Sequence, residues 1–127
     1  MYWKLRTIPA ACALLLSWYA LTARADLAED QYTVAAHHYS AARWELAIEE
    51  FTAFLASYPD HPRVAPATFF LAESLMQVRD WDAARTRFAQ YLQLSAEGQF
   101  VRQASFRLGE ASYLAGDRSE EHTSELQ

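Results

Sequence analysis

Two stretches of the sequence carry the same pattern of large and small apolar residues, 37 positions apart. In each stretch the apolar residues recur mostly at steps of three or four, which places them on one face of an amphipathic helix. The matched pairs are Trp44 and Trp81, Ala47 and Ala84, Phe51 and Phe88, Phe54 and Tyr91, and Leu55 and Leu92. A fixed offset of this size is typical of a helical solenoid, in which neighbouring units bury each other's apolar faces. The pattern therefore predicts an all-α fold.

The helix before each of these stretches keeps the same offset. Its matched sets are Val34, Leu71 and Leu108; Ala35, Ala72 and Gly109; and Tyr39, Met76 and Tyr113. The small residue in the second set lets two helices approach closely, and the large residues fill the gap between units. The predicted helices cover Gln31–Ala42, Trp44–Tyr58, Val64 or Pro66 to Val78, Asp80–Leu94 and Phe100–Leu114.

Helix boundaries follow from residues with known end preferences. The acidic segment 26–30 suits the start of the first helix, where carboxylates meet the positive end of the helix dipole. Pro59 and Pro62 end the second helix, and Gly116 is expected to cap the fifth. The period divides residues 26–117 into units at about 28–64, 65–101 and 102–117, and the third unit is truncated.

The first 25 residues have the features of a secretory signal peptide. Lys4 and Arg6 form a basic start, residues 8–21 are almost wholly apolar, and Ala23 and Ala25 supply small side chains before a cut. The apolar run is shorter than the roughly 18 residues that favour a spanning helix. We therefore expect cleavage after Ala25 and export to the periplasm or cell envelope. The alternative is an uncleaved N-terminal membrane anchor.

The charge of the chain argues against two classes of partner. The formal charge is −5, and without residues 1–25 the chain has 8 basic and 16 acidic residues, a net charge of −8. Nucleic acids require a clustered basic face, and anionic membrane surfaces attract basic segments. We therefore expect neither nucleic-acid binding nor membrane insertion of the mature chain.

The sequence contains no arrangement that points to catalysis, a cofactor or a metal. His37 and His38 are neighbours, so on a helix they point about 100° apart and cannot share one metal ion. His38 aligns with inward-facing positions and is expected to be a partly buried structural residue. The three glycines are isolated and form no phosphate-binding loop. Cys12 lies in the signal segment, so the mature chain would have no disulfide. We expect a protein that is not an enzyme and holds no cofactor.

These positions together resemble the tetratricopeptide repeat family. Its large–small pair on the first helix is carried by Val34-Ala35, Leu71-Ala72 and Leu108-Gly109, and its second helix by the pattern that begins at Trp44 and Trp81. Three features depart from the motif: the tryptophan of the first helix is absent, Ala96 stands where the second unit would carry proline, and the unit exceeds the family's usual length of about 34 residues.

The link Tyr-Pro-Asp-His-Pro after the first of these stretches is similar to that of periplasmic members of the family. Examples are the coordinator of the Tol-Pal system and subunits of outer-membrane assembly. The resemblance extends over about Asp30–Asp117. It implies a right-handed solenoid of helical hairpins with about two and a half repeats, after an N-terminal signal segment.

The resemblance also implies a binding surface. In stacked helical pairs the free side of the first helices lines a concave face. The partner-binding positions that it implies are Tyr39, Ser40, Glu73, Met76, Gln77, Glu110 and Tyr113. Apolar anchors flanked by carboxylates suit an extended or helical peptide with basic flanks. The alternative is that these side chains only pack between adjacent first helices.

The last ten residues, 118–127, do not continue the repeat. An aromatic residue is due at position 118, but the segment reads Arg-Ser-Glu-Glu-His-Thr-Ser-Glu-Leu-Gln and has no apolar stripe. It resembles the in-frame translation of a sequencing adapter. We expect an artefactual or disordered tail and a natural protein that continues with a true second helix. The alternative is a genuine polar tail.

The function expected from these features is an exported scaffold of the bacterial cell envelope that binds a protein or peptide partner. One alternative is an oligomerisation or spacer module. Another is the accessory region of a larger envelope enzyme whose catalytic domain is missing. Since the truncated third unit leaves apolar residues uncovered, self-association of the chain is also expected.

Overall fold

The structure is a computed structural model that describes the backbone of residues 10–124 and the side chains of residues 22–25 and 27–116. Within this range the chain is all-helical. The helices are α1 (Ala10–Ser40), α2 (Trp44–Ser57), α3 (Val64–Gln77), α4 (Trp81–Leu94) and α5 (Val101–Ser124). Each helix packs against the next one along the chain, and α1 also touches α3. The predicted all-α fold is therefore confirmed.

Helices α2 and α4 bury equivalent residues, as the 37-residue offset predicts. The buried sets are Ala47, Phe51 and Phe54 in α2, and Ala84, Phe88 and Tyr91 in α4. All six side chains are at most 2% exposed. Because α2 packs against both α1 and α3, and α4 against both α3 and α5, these two helices hold the core together.

The other three helices differ in how many of their faces are covered. Helix α3 lies in the middle and is buried nearly all round, including the polar residues Thr68, Glu73 and Ser74. The Thr68 and Ser74 hydroxyls donate to carbonyl oxygens of their own helix, so neither loses a hydrogen bond on burial. Helix α1 leaves Leu27 exposed on one side, and α5 leaves Phe106 exposed on one side. Of α1, α3 and α5, only α3 packs against a described helix both before and after it in the chain.

The turns from α1 to α2 and from α3 to α4 have the same backbone conformation. Ala42 has φ 55° and Arg79 has φ 63°, and these two residues are 37 positions apart. In each turn the residue after the positive-φ residue donates its N–H to a carbonyl five residues earlier: Arg43 to His38 at 2.9 Å and Asp80 to Leu75 at 3.0 Å. This left-handed residue satisfies carbonyls at the helix end. The repeat is thus present in the backbone as well as in the apolar pattern.

Two predicted boundaries are wrong. The acidic segment 26–30 does not start a helix, because α1 runs without interruption from Ala10. Gly116 does not end α5, which continues to Ser124. Both segments lack proline, and an acidic or glycine residue inside a helix costs at most about 1 kcal/mol relative to alanine. The helix preferences of single residues were therefore too weak to determine where α1 begins or where α5 ends. Cleavage after Ala25 and the origin of residues 118–127 stay predictions.

The hydrophobicity and length of the helices bear on the predicted absence of membrane insertion. Among residues 10–124, no helix combines the length and apolar character required to cross a membrane.

Candidate partner-binding face

The predicted binding positions lie on α1, α3 and α5, the first helix of each pair. The structure brings two of them, Glu73 and Glu110, together through a residue that was not predicted, Arg107. With Gln103 these residues form a cluster, and we call it the polar cluster below. It connects α3 and α5.

Glu73 is the buried centre of the polar cluster. Its side chain is 4% exposed, and its Oε1 accepts hydrogen bonds from Arg107 Nε at 3.1 Å and from Gln103 Nε2 at 3.3 Å. A buried carboxylate requires such donors, because removing its hydration without replacement costs several kcal/mol. Two donors from α5 therefore hold Glu73 of α3 in place.

Arg107 joins two carboxylates. Besides its contact with Glu73, its Nη1 donates to Glu110 Oε2 at 2.8 Å, and its side chain is 30% exposed. The hydrogen bond to Glu110 and the charges of both carboxylates raise the pKa of Arg107 above its ordinary value. Two carboxylates and one guanidinium leave the polar cluster with a net charge of −1.

Tyr39 of α1 packs against α2 and α3. Its ring contacts Trp44 edge-on at 5.6 Å between centroids, and Phe70 at 4.9 Å. Partial burial, and then the negative charge of Glu73, raises the pKa of the Tyr39 hydroxyl above its ordinary value. The Tyr39 ring therefore packs against two aromatic side chains, and the charge of Glu73 acts on its hydroxyl.

The remaining predicted positions are not brought into the cluster. Met76 is 6% exposed and belongs to the core. Ser40 is exposed and donates its hydroxyl to the carbonyl of His37 at 2.9 Å, and Gln77 is exposed at the end of α3. Tyr113 is 72% exposed on the outer side of α5. Glu73 and Tyr39 thus pack between first helices, as the predicted alternative states. Ser40 and Gln77 are exposed.

Sequence reasoning missed Arg107 and Gln103. One signal was available, since Arg107 and Glu110 are separated by three residues and can pair on one helix. The contact with Glu73 spans 34 positions, and no local pattern reveals it. The 37-residue repeat did not predict this contact either, because the first two units carry Thr33 and Phe70 at the position of Arg107.

A second charged pair connects α1 to the loop after α2. Arg63 donates to Glu29 at 2.6 Å, and its guanidinium lies 5.0 Å from the centroid of the Tyr32 ring. The hydrogen bond from Arg63 lowers the pKa of Glu29, and the same bond raises the pKa of Arg63. Both side chains are about half exposed, so the pair contributes little to stability.

A groove of about 450 Å³ lies between α1 and the loop after α2. Its walls include Arg24, Ala25, Ala28 and Tyr58. Arg24 lies 5.9 Å from the Tyr58 ring centroid. Arg24 and Ala25 belong to the predicted signal segment, so cleavage would remove part of this wall. We therefore do not assign a ligand to the groove.

The histidines and acidic residues do not form a metal site in the described part of the chain. In the described part of the chain no group of three or more His, Cys, Asp or Glu residues could hold a metal ion. His38 is partly buried, as expected, and its Nδ1 has no hydrogen-bond partner among the residues that the structure describes.

Comparison with models of protein families and with curated proteins found no match to this chain. The likeness to tetratricopeptide repeats therefore rests on the residues and the period alone.

Proposed function

We propose that this chain is an exported scaffold of the bacterial cell envelope, a right-handed solenoid of the tetratricopeptide type that binds a protein or peptide partner. The observation that carries the proposal is the polar cluster, which joins α3 and α5, two first helices that share one period. Neither a cofactor nor catalysis enters the proposal.

The residues available on this face determine what kind of partner would fit. Ser40 and Gln77 are exposed, and Glu110 is partly exposed. Tyr39 offers a partly buried aromatic ring. Because the polar cluster has a net charge of −1 and the predicted mature chain is acidic, a peptide with basic residues around an apolar anchor is favoured.

Site-specific photo-crosslinking tests this proposal. A photoreactive phenylalanine derivative placed at Gln77 in the exported protein should yield covalent adducts with a partner in intact cells. The same residue at Gln93, which is exposed on α4, is the control. Adducts from Gln77 but not Gln93 support the face, and equal yields from both positions contradict it.

The export component has its own test. The mature protein should begin at Asp26 when its N-terminus is sequenced from the periplasmic fraction. A chain that begins at Met1 and sediments with membranes would support the anchored alternative instead.

A further inference from the structure

A cavity of about 470 Å³ lies between the loop that follows α2 and the loop that follows α4. Helices α3 and α5 begin at these two loops, at Val64 and Val101, which are 37 positions apart. Small-molecule sites in proteins usually have volumes of about 300–1,000 Å³. None of the described residues that line the cavity belongs to the polar cluster. The cavity is therefore a separate place for a ligand.

Three aromatic rings line the cavity. They belong to Tyr32 of α1, Phe70 of α3 and Phe100 of the second loop. Phe70 and Phe100 are partly buried and contact each other edge-on at 5.5 Å between centroids. Phe100 also stacks on Phe69 of the core at 4.4 Å, so its ring is held in place. Rings fixed in this way offer apolar surface to an aromatic or aliphatic group of a ligand.

Two residues with hydroxyl groups, Tyr91 and Ser95, line the same cavity. Tyr91 is 2% exposed, and its hydroxyl accepts the N–H of Phe100 at 3.2 Å. No described residue accepts a hydrogen bond from the Tyr91 hydroxyl or from Ser95 Oγ. Both hydroxyls lie beside Gly98, where an added Cβ atom would come too close to each of them. Since buried polar groups in proteins are usually paired, the two hydroxyls are available to donate to a ligand oxygen.

The charge at the cavity is positive. Arg63 is the only charged residue among the described residues that line it. Glu29 accepts from Arg63 Nε at 3.3 Å and from Nη2 at 2.6 Å, whereas Nη1 donates to no described residue. Ala65 in the first turn of α3 and Phe100 just before α5 also line the cavity, so the positive ends of both helix dipoles lie beside it. The cavity therefore favours an anion, although the chain as a whole is acidic.

We propose that this cavity binds a small organic anion with a carboxylate and an aromatic or aliphatic body. Arg63 Nη1 and the hydroxyls of Tyr91 and Ser95 donate to the carboxylate, and the aromatic rings contact the body. Glu29 competes with the ligand for Arg63 and so lowers the affinity. This site goes beyond the function proposed above, because it shares no residue with the polar cluster.

An NMR titration of the ¹⁵N-labelled full chain with N-acetyl-L-phenylalanine tests the proposal. The matched control is N-acetyl-L-phenylalaninamide, which keeps the ring and removes the charge. We expect saturable shifts of the Ala65, Gly98 and Gln99 amide signals, with a dissociation constant on the order of 1 mM. The amide should bind at least about tenfold more weakly, since charge-assisted hydrogen bonds are about twice as strong as neutral ones.

Three variants test the role of the charges. Arg63→Gln should weaken binding of the anion about tenfold. Glu29→Gln should strengthen it about threefold, because Arg63 loses its competing partner. The control is Arg85→Gln, since Arg85 and Arg63 are each 48% exposed and each pairs with one carboxylate; it should change the dissociation constant by less than about twofold. All three side chains are about half exposed, so the variants should keep the circular-dichroism signal of the parent.

Four results would overturn the proposal. They are the absence of saturable shifts, equal binding of the acid and its amide, equal effects of Arg63→Gln and Arg85→Gln, and weaker binding of the anion in Glu29→Gln. Crosslinking from Gln77 depends on none of these results, so this proposal and the proposed function fail separately.

Discussion

Removing the guanidinium of Arg107 tests whether the polar cluster contributes to stability. Arg107→Met keeps much of the aliphatic stem but leaves the Glu73 carboxylate with one donor, Gln103 at 3.3 Å. Breaking a buried pair from one side costs about 3–5 kcal/mol, because the remaining charge stays buried. Arg107 is itself 30% exposed, so water replaces part of what it supplies. We therefore expect a loss of about 2 kcal/mol in the free energy of unfolding.

Urea denaturation at pH 7 and 25 °C, followed by circular dichroism at 222 nm, measures this loss. The matched control is Arg85→Met, which makes the same substitution in an exposed pair with Asp82 at 3.2 Å. Exposed pairs contribute about 0–1 kcal/mol. The double variant Glu73→Leu/Arg107→Met should recover most of the lost stability, because replacing a buried ion pair by apolar residues is often neutral.

Two results would refute this reasoning. If Arg107→Met costs no more than Arg85→Met, Glu73 does not depend on its partner. If the double variant is less stable than Arg107→Met alone, the carboxylate is not the source of the cost.

Three further predictions concern single residues. Met76→Ala should lower the free energy of unfolding by about 2–4 kcal/mol in the same urea assay. Tyr113→Ala, at an exposed site, should change it by less than about 0.5 kcal/mol; equal effects would contradict the burial of Met76. In an alkaline titration at 295 nm, Tyr32 and Tyr39 should both ionise above the ordinary value of 10.0, because burial raises the pKa of each hydroxyl, and Tyr39→Phe should remove one of these two steps. Because the pKa of Tyr39 is raised, its stabilising contribution is complete below pH 10 and is lost as the pH rises through the folded-state value. In NMR titrations the pKa of Glu29 should rise toward 4.5 in Arg63→Met, because the hydrogen bond from Arg63 lowers it. The contribution of this bond to stability is complete above pH 4.5 and is lost as the pH falls through the lowered folded-state pKa of Glu29. An unchanged Glu29 titration would exclude the bond in solution.

Met76 was expected on the binding surface and lies in the core. The three residues Tyr39, Met76 and Tyr113 are equivalent by position, and the resemblance to tetratricopeptide repeats implied that they lie on one binding surface. Their environments differ, because α3 has a helix pair on each side whereas α1 and α5 have one. Met76 is 6% exposed and Tyr113 is 72% exposed at the same register.

The helix bounds were predicted closely where proline or the apolar stripe sets them. Helix α2 was expected over Trp44–Tyr58 and spans Trp44–Ser57, and α4 was expected to reach Leu94 and does. Asp80 was expected to begin α4, and its side chain accepts from the N–H of Ala83 at 3.3 Å as an N-cap. Boundaries that depended on acidic residues or on Gly116 were wrong, since such preferences are small compared with continued backbone hydrogen bonding.

The sequence alone determined the all-α architecture, the 37-residue period and the inner faces of α2 and α4. These features depend on each residue and its neighbours three or four positions away, and that local pattern can be read directly from the sequence. Tertiary structure alone decided that Glu73 is buried, that Arg107 and Gln103 reach it from α5, and that Met76 is buried in the core. Such features depend on which unit stands beside a helix, and residues with the same register acquire different environments at the middle and at the ends of the repeat.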